Sequence, residues 1–92
     1  MNYTRHPVAE VRDGELKVAI YREEPEQAGS PTRYKGRLTR GLLDSGGQWH
    51  YTHNLSGTDY LRAARLLERA YDEERAQQAA DRETVRARAG AA

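Results

Sequence analysis

The sequence contains no cysteine, and this absence excludes several kinds of site at once. Disulfide bonds, thiolate-bound zinc and cysteine nucleophiles all require a thiol. The sequence also lacks an apolar run long enough to cross a membrane, and residues 1–8 do not form the hydrophobic core of a signal peptide. We therefore expect an intracellular, cytoplasmic protein that makes no membrane contact.

The chain also has little net charge and little apolar material. Its 15 basic and 14 acidic residues leave a net charge of +1, so the total charge does not indicate a nucleic-acid binder, and only the placement of charge can. With 92 residues, of which 37% are hydrophobic, the chain is long enough for one modest core. We expect one domain over residues 1–76, followed by a polar helical extension or disordered tail over 77–92.

Alternating apolar and polar residues predict four β-strands. Strands at 8–12 and 15–22 flank Asp13-Gly14, a pair typical of tight hairpin turns. A loop with two prolines follows, and then come strands at 33–42 and 48–53, joined by a glycine turn at 44–47.

From Thr58 onwards the apolar residues recur at helical spacing, and Ser56 is placed to cap the amide of Asp59. The stripe expected to face the sheet is Tyr60, Ala63, Ala64, Leu67, Ala70 and Tyr71. Together these elements predict an α+β fold (ββββα), a four-stranded curved antiparallel sheet followed by one C-terminal helix. Because one sheet covered on one face is marginally stable, we expect a homodimer.

The alternation also assigns side chains to the two faces of the sheet. The face expected under the helix carries Leu16, Val18, Ile20, Tyr34, Leu38, Leu42, Trp49 and Tyr51. The opposite face is basic, with no acidic residue after Glu15. Its cations on the third strand recur about every 6.6–7 Å, close to the phosphate repeat of an extended single strand. The candidate nucleic-acid-binding residues on this face are Lys17, Tyr21, Arg33, Lys35, Arg37, Thr39 and His50.

Trp49 and Tyr51 have two interpretations. They share the alternation of the predicted core, which favours burial. A slip of one residue in the fourth strand would place both on the basic face instead, because every side chain would change sides. The basic row also has a simpler interpretation, since exposed cations keep a sheet soluble and prevent edge-to-edge pairing.

Three stretches carry a resemblance to a known family: EVRDGELKVAIYRE at 10–23, KGRL at 35–38 and SGTDY at 56–60. They resemble the single-stranded DNA-binding fold shared by the Whirly proteins and the transcriptional positive cofactor four. Residues 7–71 are also similar to short bacterial proteins of unassigned function, with a tryptophan in the third hairpin arm. The resemblance lies in the architecture rather than in a specific motif.

The resemblance implies a homodimeric transcriptional regulator that offers a continuous basic surface to single-stranded DNA, with DNA favoured over RNA. It implies that Tyr21 or His50 stacks on a base, a contact that tolerates any sequence. It further implies phosphate contacts by Lys17, Arg33, Lys35 and Arg37.

Other functions find less support in the residues. His50 and His53 point to opposite faces of a strand, and Asp44 and Ser45 lie in a glycine turn without an oxyanion motif, so we predict no metal site, no cofactor and no catalytic residue. The alternative to nucleic-acid binding is a protein–protein interaction module, such as a small phage- or plasmid-type inhibitor or an accessory subunit. Such a module would dock its partner on the sheet face or an exposed strand edge.

Overall fold

A four-stranded antiparallel sheet followed by one helix makes up the computed structural model of the protein, which describes residues 3–24 and 32–90. The order across the sheet is the order in the chain. The elements are β1 (Ala9–Asp13), β2 (Leu16–Glu23), β3 (Arg33–Leu43), β4 (Trp49–Thr52) and α1 (Asp59–Gly90). The predicted α+β class, with a curved antiparallel sheet and a C-terminal helix, is confirmed. Most of the predicted proline loop lies outside the described residues.

The first hairpin turns one residue later than predicted. Asp13 pairs with Leu16, so the turn consists of Gly14 and Glu15 rather than Asp13 and Gly14. Gly14 has φ of 60°, and within the described ranges no residue other than glycine has positive φ. Positive φ at only the first turn position is the type II′ arrangement, which requires glycine there and matches the twist of the two strands.

The second hairpin turn is built around Asp44. Its Oδ1 accepts hydrogen bonds from the amides of Gly46 at 2.9 Å and Gln48 at 2.8 Å. Its carbonyl accepts the amide of Gly47 at 3.1 Å, where φ is 82°. The Gln48 amide, and then the His50 ring at 2.7 Å from Oδ2, lower the pKa of the Asp44 carboxyl. These bonds fix the residue at which β4 begins.

The core lies between α1 and the first two strands. Leu16, Ile20 and Leu66 are its largest fully buried side chains, and each such side chain stabilises the fold by about 1.5–3 kcal/mol. The buried cluster is Val11, Leu16, Val18, Ile20, Ala63, Leu66 and Ala70. The helix therefore covers β1 and β2 and leaves the far half of the sheet less covered.

The buried stripe of α1 differs from the predicted one. Leu66 is 1% exposed, whereas Leu67, which was expected in the core, is 49% exposed. Tyr60 and Tyr71 are also exposed. Ala63 and Ala70 are buried as predicted. Consecutive residues are about 100° apart round a helix, so the rest of the predicted stripe was wrong by roughly one position of helix rotation.

Hydrogen bonds from two arginines of α1 to the sheet explain this rotation. Arg62 Nη2 donates to the carbonyl of Asp13 at 2.8 Å, and Arg69 Nη1 donates to the carbonyl of Arg12 at 3.0 Å. Both carbonyls belong to β1, the edge strand. The two bonds hold α1 over β1 and β2, which turns Leu66 inward.

Asp59 joins the start of α1 to the sheet. Its carboxylate accepts hydrogen bonds from the amide of Ser56 at 3.1 Å and from the Ser56 hydroxyl at 3.3 Å, so the cap runs opposite to the predicted direction. Arg40 Nε of β3 lies 3.1 Å from the same carboxylate. The Ser56 amide lowers the pKa of Asp59, and the charge of Arg40 acts in the same direction against the effect of burial.

The polar half of α1 also returns to the sheet. The helix continues through residues 77–90, and Asp81 accepts hydrogen bonds from Arg22 Nε at 3.3 Å and from the Tyr34 hydroxyl. Burial, and then the contact with Asp81, raises the pKa of Tyr34 to about 12. Burial alone would lower the pKa of Arg22, but its contacts with Asp81 and Tyr34 raise it.

Candidate nucleic-acid interface

The sheet face turned away from α1, here called the open face, is defined by the strand register. Lys17 pairs with Thr39, and Gly41 pairs with Tyr51. Directly opposed residues of antiparallel strands project to the same side. Because Leu16 and its alternate neighbours in β2 face the helix, the following side chains lie on the open face: Lys17, Tyr21, Arg33, Lys35, Arg37, Thr39, Trp49 and Tyr51.

Most of the candidate residues chosen from the sequence share this face. The register brings Lys17, Tyr21, Arg33, Lys35, Arg37 and Thr39 together. His50 is separated from them: it pairs with Leu42 on the helix side of the sheet, where its Nε2 contacts Asp44. The predicted position of His50 on the basic face was wrong. That the shared residues bind nucleic acid stays a prediction.

Trp49 and Tyr51 lie on the open face and not in the core. They are 56% and 66% exposed, so the predicted burial was wrong. The reason is the turn at Asp44, which pairs Leu43 with Trp49 and thereby sets the phase of β4. One residue of slip moves every side chain of a strand to the other face.

The rings of Trp49 and Tyr51 pack on Gly41. A Cβ at this position would lie 3.2 Å from Cζ3 of Trp49 and 3.6 Å from Cε1 of Tyr51. Gly41 is itself buried, because both rings rest on the backbone of β3. The missing side chain therefore allows two aromatic rings to share one position on the sheet.

Lysine ammonium groups lie beside the aromatic rings of the open face. Lys17 Nζ lies 5.7 Å from the ring centroid of Tyr51, and Lys35 Nζ lies 5.7 Å from that of Tyr21. Lys35 Nζ is also 4.2 Å from the ring centroid of Tyr3, which bridges to Glu23 beside the edge of the sheet. Tyr3 is not among the predicted site residues, because it belongs to no alternating run of the sequence. All three distances are within the range of cation–π contacts.

A shallow hollow occupies the middle of the open face. Its volume is about 240 Å³, and Ala19, only 3% exposed, is among its lining residues. The other lining side chains are Lys17, Tyr21, Arg37, Thr39 and Tyr51. The hollow is therefore bordered by cations, a hydroxyl and two phenol rings, groups that suit a phosphate and an aromatic base.

Two carboxylates, Glu10 and Glu23, also lie on the open face. Because Glu23 follows Glu15 in the chain, the prediction that this face has no acidic residue after Glu15 was wrong. Glu10 pairs with Ala19 and Glu23 pairs with Arg33. Glu10 Oε1 lies 4.0 Å from Lys17 Nζ, a long contact between two partly exposed side chains, and surface pairs of this kind contribute about 0–1 kcal/mol. Such a weak pair leaves Lys17 available to a phosphate.

The cations on β3 differ from Lys17. For Arg33, Lys35 and Arg37 the described part of the chain contains no ion pair. Glu23 stands opposite Arg33, but it makes no ion pair with that side chain, and no described carboxylate pairs with Lys35 or Arg37. The row along β3 is the strongest local concentration of positive charge on the open face.

The described residues do not bring together three His, Asp or Glu side chains that could hold a metal ion. In the same ranges, no helix has the length and apolar character needed to cross a bilayer. Comparison with known proteins finds no match to a family model, a curated protein or a solved structure. The resemblance to the Whirly proteins and positive cofactor four therefore stays a prediction.

Proposed function

We propose that the protein binds single-stranded nucleic acid, with DNA as the favoured ligand, across the open face. The observation that carries this proposal is the interleaving of exposed aromatic rings with cations on one uncovered sheet surface. Trp49 and Tyr51 share that surface with Lys17 and the β3 cations. Proteins that bind single strands without sequence preference combine these two kinds of side chain.

The phosphates would follow the row of cations along β3. Arg33, Lys35 and Arg37 occupy alternate positions, so their Cα atoms recur about every 6.6–7 Å. Guanidinium groups suit phosphate oxygens because they offer paired N–H donors. This contact reads no sequence, since every nucleotide carries the same phosphate.

The bases would stack on the aromatic rings. Trp49, Tyr51 and Tyr21 project from the sheet beside the cation row, and each stacked base contributes about 1–3 kcal/mol. Bases in a duplex are already stacked and paired, so their faces are closed to these rings. The geometry therefore favours a single strand over a duplex of the same length.

The test is fluorescence anisotropy with single-stranded and duplex oligonucleotides over a range of salt concentrations. We expect oligo-dT to bind more tightly than the duplex and to weaken with salt. The double variant Arg33→Glu with Arg37→Glu should lose this binding, because two phosphate contacts become repulsive. For the parent protein and single strands, the salt slope should amount to about −0.7 for each phosphate contact.

A control with the same charge change separates the open face from net charge. Arg65 and Arg82 are exposed on α1, away from the open face. The double variant Arg65→Glu with Arg82→Glu should bind oligo-dT nearly as well as the parent protein. If the open-face variant also binds as well as the parent, the proposed site is wrong.

We also propose that the homodimer predicted from the sequence forms on the helix side of the sheet. There a groove lies between β3 and α1, lined by Leu38, Leu67 and Tyr71 and continuous with the core. Leu42 is exposed on the same side of the sheet. A second copy brings the same apolar groove, so a two-fold axis would cover both at once and leave both open faces free.

Sedimentation equilibrium tests this dimer. Leu67→Glu places a charge in the groove and should convert the dimer to a monomer, whereas Leu61→Glu, at another exposed leucine of α1, should not. A monomeric parent protein at all concentrations would contradict the proposal.

A further inference from the structure

We infer that the open face accepts a segment of about four nucleotides, with stacked bases at its two ends and only backbone contacts between them. This inference rests on the proposed function and deepens it, because it specifies the length of the ligand. It also specifies the positions at which an unpaired base is required.

The aromatic side chains of the open face form two separate groups. Tyr21 stands opposite Lys35, whose ammonium lies between it and Tyr3. Tyr51 stands opposite Gly41, with Trp49 against the same glycine. Each group therefore offers an aromatic ring at one end of the sheet.

Each aromatic group also has its own ammonium group. Lys35 Nζ is 5.7 Å from the Tyr21 ring, and Lys17 Nζ is 5.7 Å from the Tyr51 ring. A base stacked on either ring would therefore have a cation near its own phosphate. The two ends of the open face thus repeat the same pair of groups.

The distance between the two groups follows from the register. Lys35 and Gly41 mark their positions on β3, and six residues at about 3.3–3.4 Å each separate them by roughly 20 Å. Tyr21 and Tyr51 lie on strands to either side of β3, which adds about 9.5 Å across the sheet. The diagonal between the backbone positions of the two groups is therefore about 22 Å.

This diagonal sets the number of nucleotides. It equals about three repeats of 6.6–7 Å, the spacing at which the β3 cations match an extended single strand. Three repeats separate the first from the last of four nucleotides. The open face therefore fits two terminal bases on its rings and two nucleotides between them.

The middle of the open face has a different chemistry. On the strands, Ala19, Arg37 and Thr39 lie between the positions of Tyr21 and Tyr51, and all five residues line the central hollow. A guanidinium and a hydroxyl bind phosphate and sugar oxygens and give a base no ring to stack on. The two central nucleotides should therefore be held by their backbone alone.

The experiment measures the affinity of the parent protein for dT2, dT3, dT4 and dT6 at low salt. Affinity should rise steeply up to dT4, when both aromatic groups are engaged, and only slightly beyond it. In dT4, abasic sites at positions 1 and 4 should weaken binding about 5- to 150-fold for each base lost, the range of base–aromatic stacking. Abasic sites at positions 2 and 3 should have a much smaller effect.

Variants assign each end of the oligonucleotide to one aromatic group. In the Tyr21→Leu variant, an abasic site at one end of dT4 should cause no further loss of affinity. An abasic site at the other end should weaken binding as much as it does in the parent protein. Tyr51→Leu combined with Trp49→Leu should give the opposite pattern. Tyr60→Leu, at an exposed tyrosine of α1, is the control and should leave both costs unchanged.

The possible failures are distinguishable. If long oligo-dT binds with the expected salt dependence but all four abasic positions cost the same, the four-nucleotide inference is wrong while the proposed function stands. The same holds if affinity rises smoothly through dT4. If long oligo-dT does not bind at low salt, both are wrong.

Discussion

Two neighbouring leucines in α1 provide a sensitive test of how the helix lies on the sheet. Leu66 is 1% exposed and belongs to the core, whereas Leu67 is 49% exposed. Replacing each in turn by alanine removes the same atoms from positions about 100° apart round the helix. The two losses of stability should therefore differ, although the chemical change is identical.

The expected magnitudes follow from the burial of each side chain. Leu66→Ala leaves a cavity in the core and should lower the free energy of unfolding by about 2–5 kcal/mol. For a chain of this size, a loss of 1 kcal/mol in the free energy of unfolding lowers the melting temperature by about 4–8 °C. The smallest expected loss should therefore lower the melting temperature by about 8 °C. Leu67→Ala leaves no closed cavity and removes a half-exposed group, so it should lower that free energy by about 1 kcal/mol.

Urea unfolding followed by far-UV circular dichroism gives both free energies, and equal m-values show that both variants unfold from a similar fold. The cost at Leu66 should be independent of protein concentration, because its contacts are internal to the chain. Any cost at Leu67 that grows with concentration reports association through the helix-side groove. Equal losses extrapolated to low concentration, or a larger loss at Leu67, would refute the orientation of α1.

Three further predictions concern β4, Asp59 and Gly41. Trp49 is the only tryptophan and is exposed, so the fluorescence of the protein should peak at the wavelength of a solvated indole. Oligo-dT should quench this fluorescence. Emission at the wavelength of a buried indole would contradict the register of β4. Because the pKa of Asp59 is lowered, its carboxylate stabilises the fold above the ordinary carboxyl pKa and loses this effect as pH falls through the lowered value. Asp59→Asn should therefore be less stable than the parent near neutral pH, and this difference should vanish in acid unfolding measurements; a difference that persists unchanged in acid would count against the assigned contacts. Gly41→Ala should displace the rings of Trp49 and Tyr51 and reduce oligo-dT affinity, whereas Gly36→Ala, on the helix side, should not reduce it. Equal effects of the two variants on affinity would contradict the packing of the rings on Gly41.

The strands and the helix were predictable because each follows a local period. Leu16, Val18 and Ile20 alternate with Lys17, Ala19 and Tyr21, and the large aliphatic side chains mark the face of β2 that lies under the helix. The phase of β3 followed in the same way, which is why Arg33 and Arg37 were correctly placed together. Local period therefore sufficed wherever one strand contained several aliphatic residues in alternate positions.

The phase of β4 was not predictable in this way. This strand has four residues and no aliphatic side chain, so its own pattern does not distinguish its faces. The hydrogen bonds of Asp44 decide the phase, because they determine that Leu43 rather than Leu42 opposes Trp49. Gly47 in this turn has positive φ, and the number of residues in such a turn sets the phase of the next strand. The alternation within the strands does not reveal that number.

The rotation of α1 was not predictable for a different reason. Leu66 and Leu67 are equally apolar, so periodicity allows either to face the sheet. The choice depends on Arg62 and Arg69, whose carbonyl partners lie 49 and 57 residues away in the sequence. Contacts of that range depend on the assembled fold, and a charged residue on a helix gives no sign of them.

The error in β4 strengthens the functional argument instead of weakening it. If Trp49 and Tyr51 lay in the core, the open face would carry cations and only Tyr21 among these aromatic residues. Exposed cations on a sheet can be explained by solubility alone. The actual register exposes two large aromatic side chains that the protein could have buried, and the loss of that burial is unfavourable for folding. Exposed apolar groups clustered among cations are typical of interaction surfaces, and this supports the proposal that the open face binds a ligand. The proposed ligand, a single-stranded nucleic acid, offers phosphates to the cations and unpaired bases to the rings, so it would contact both kinds of side chain on that surface at once.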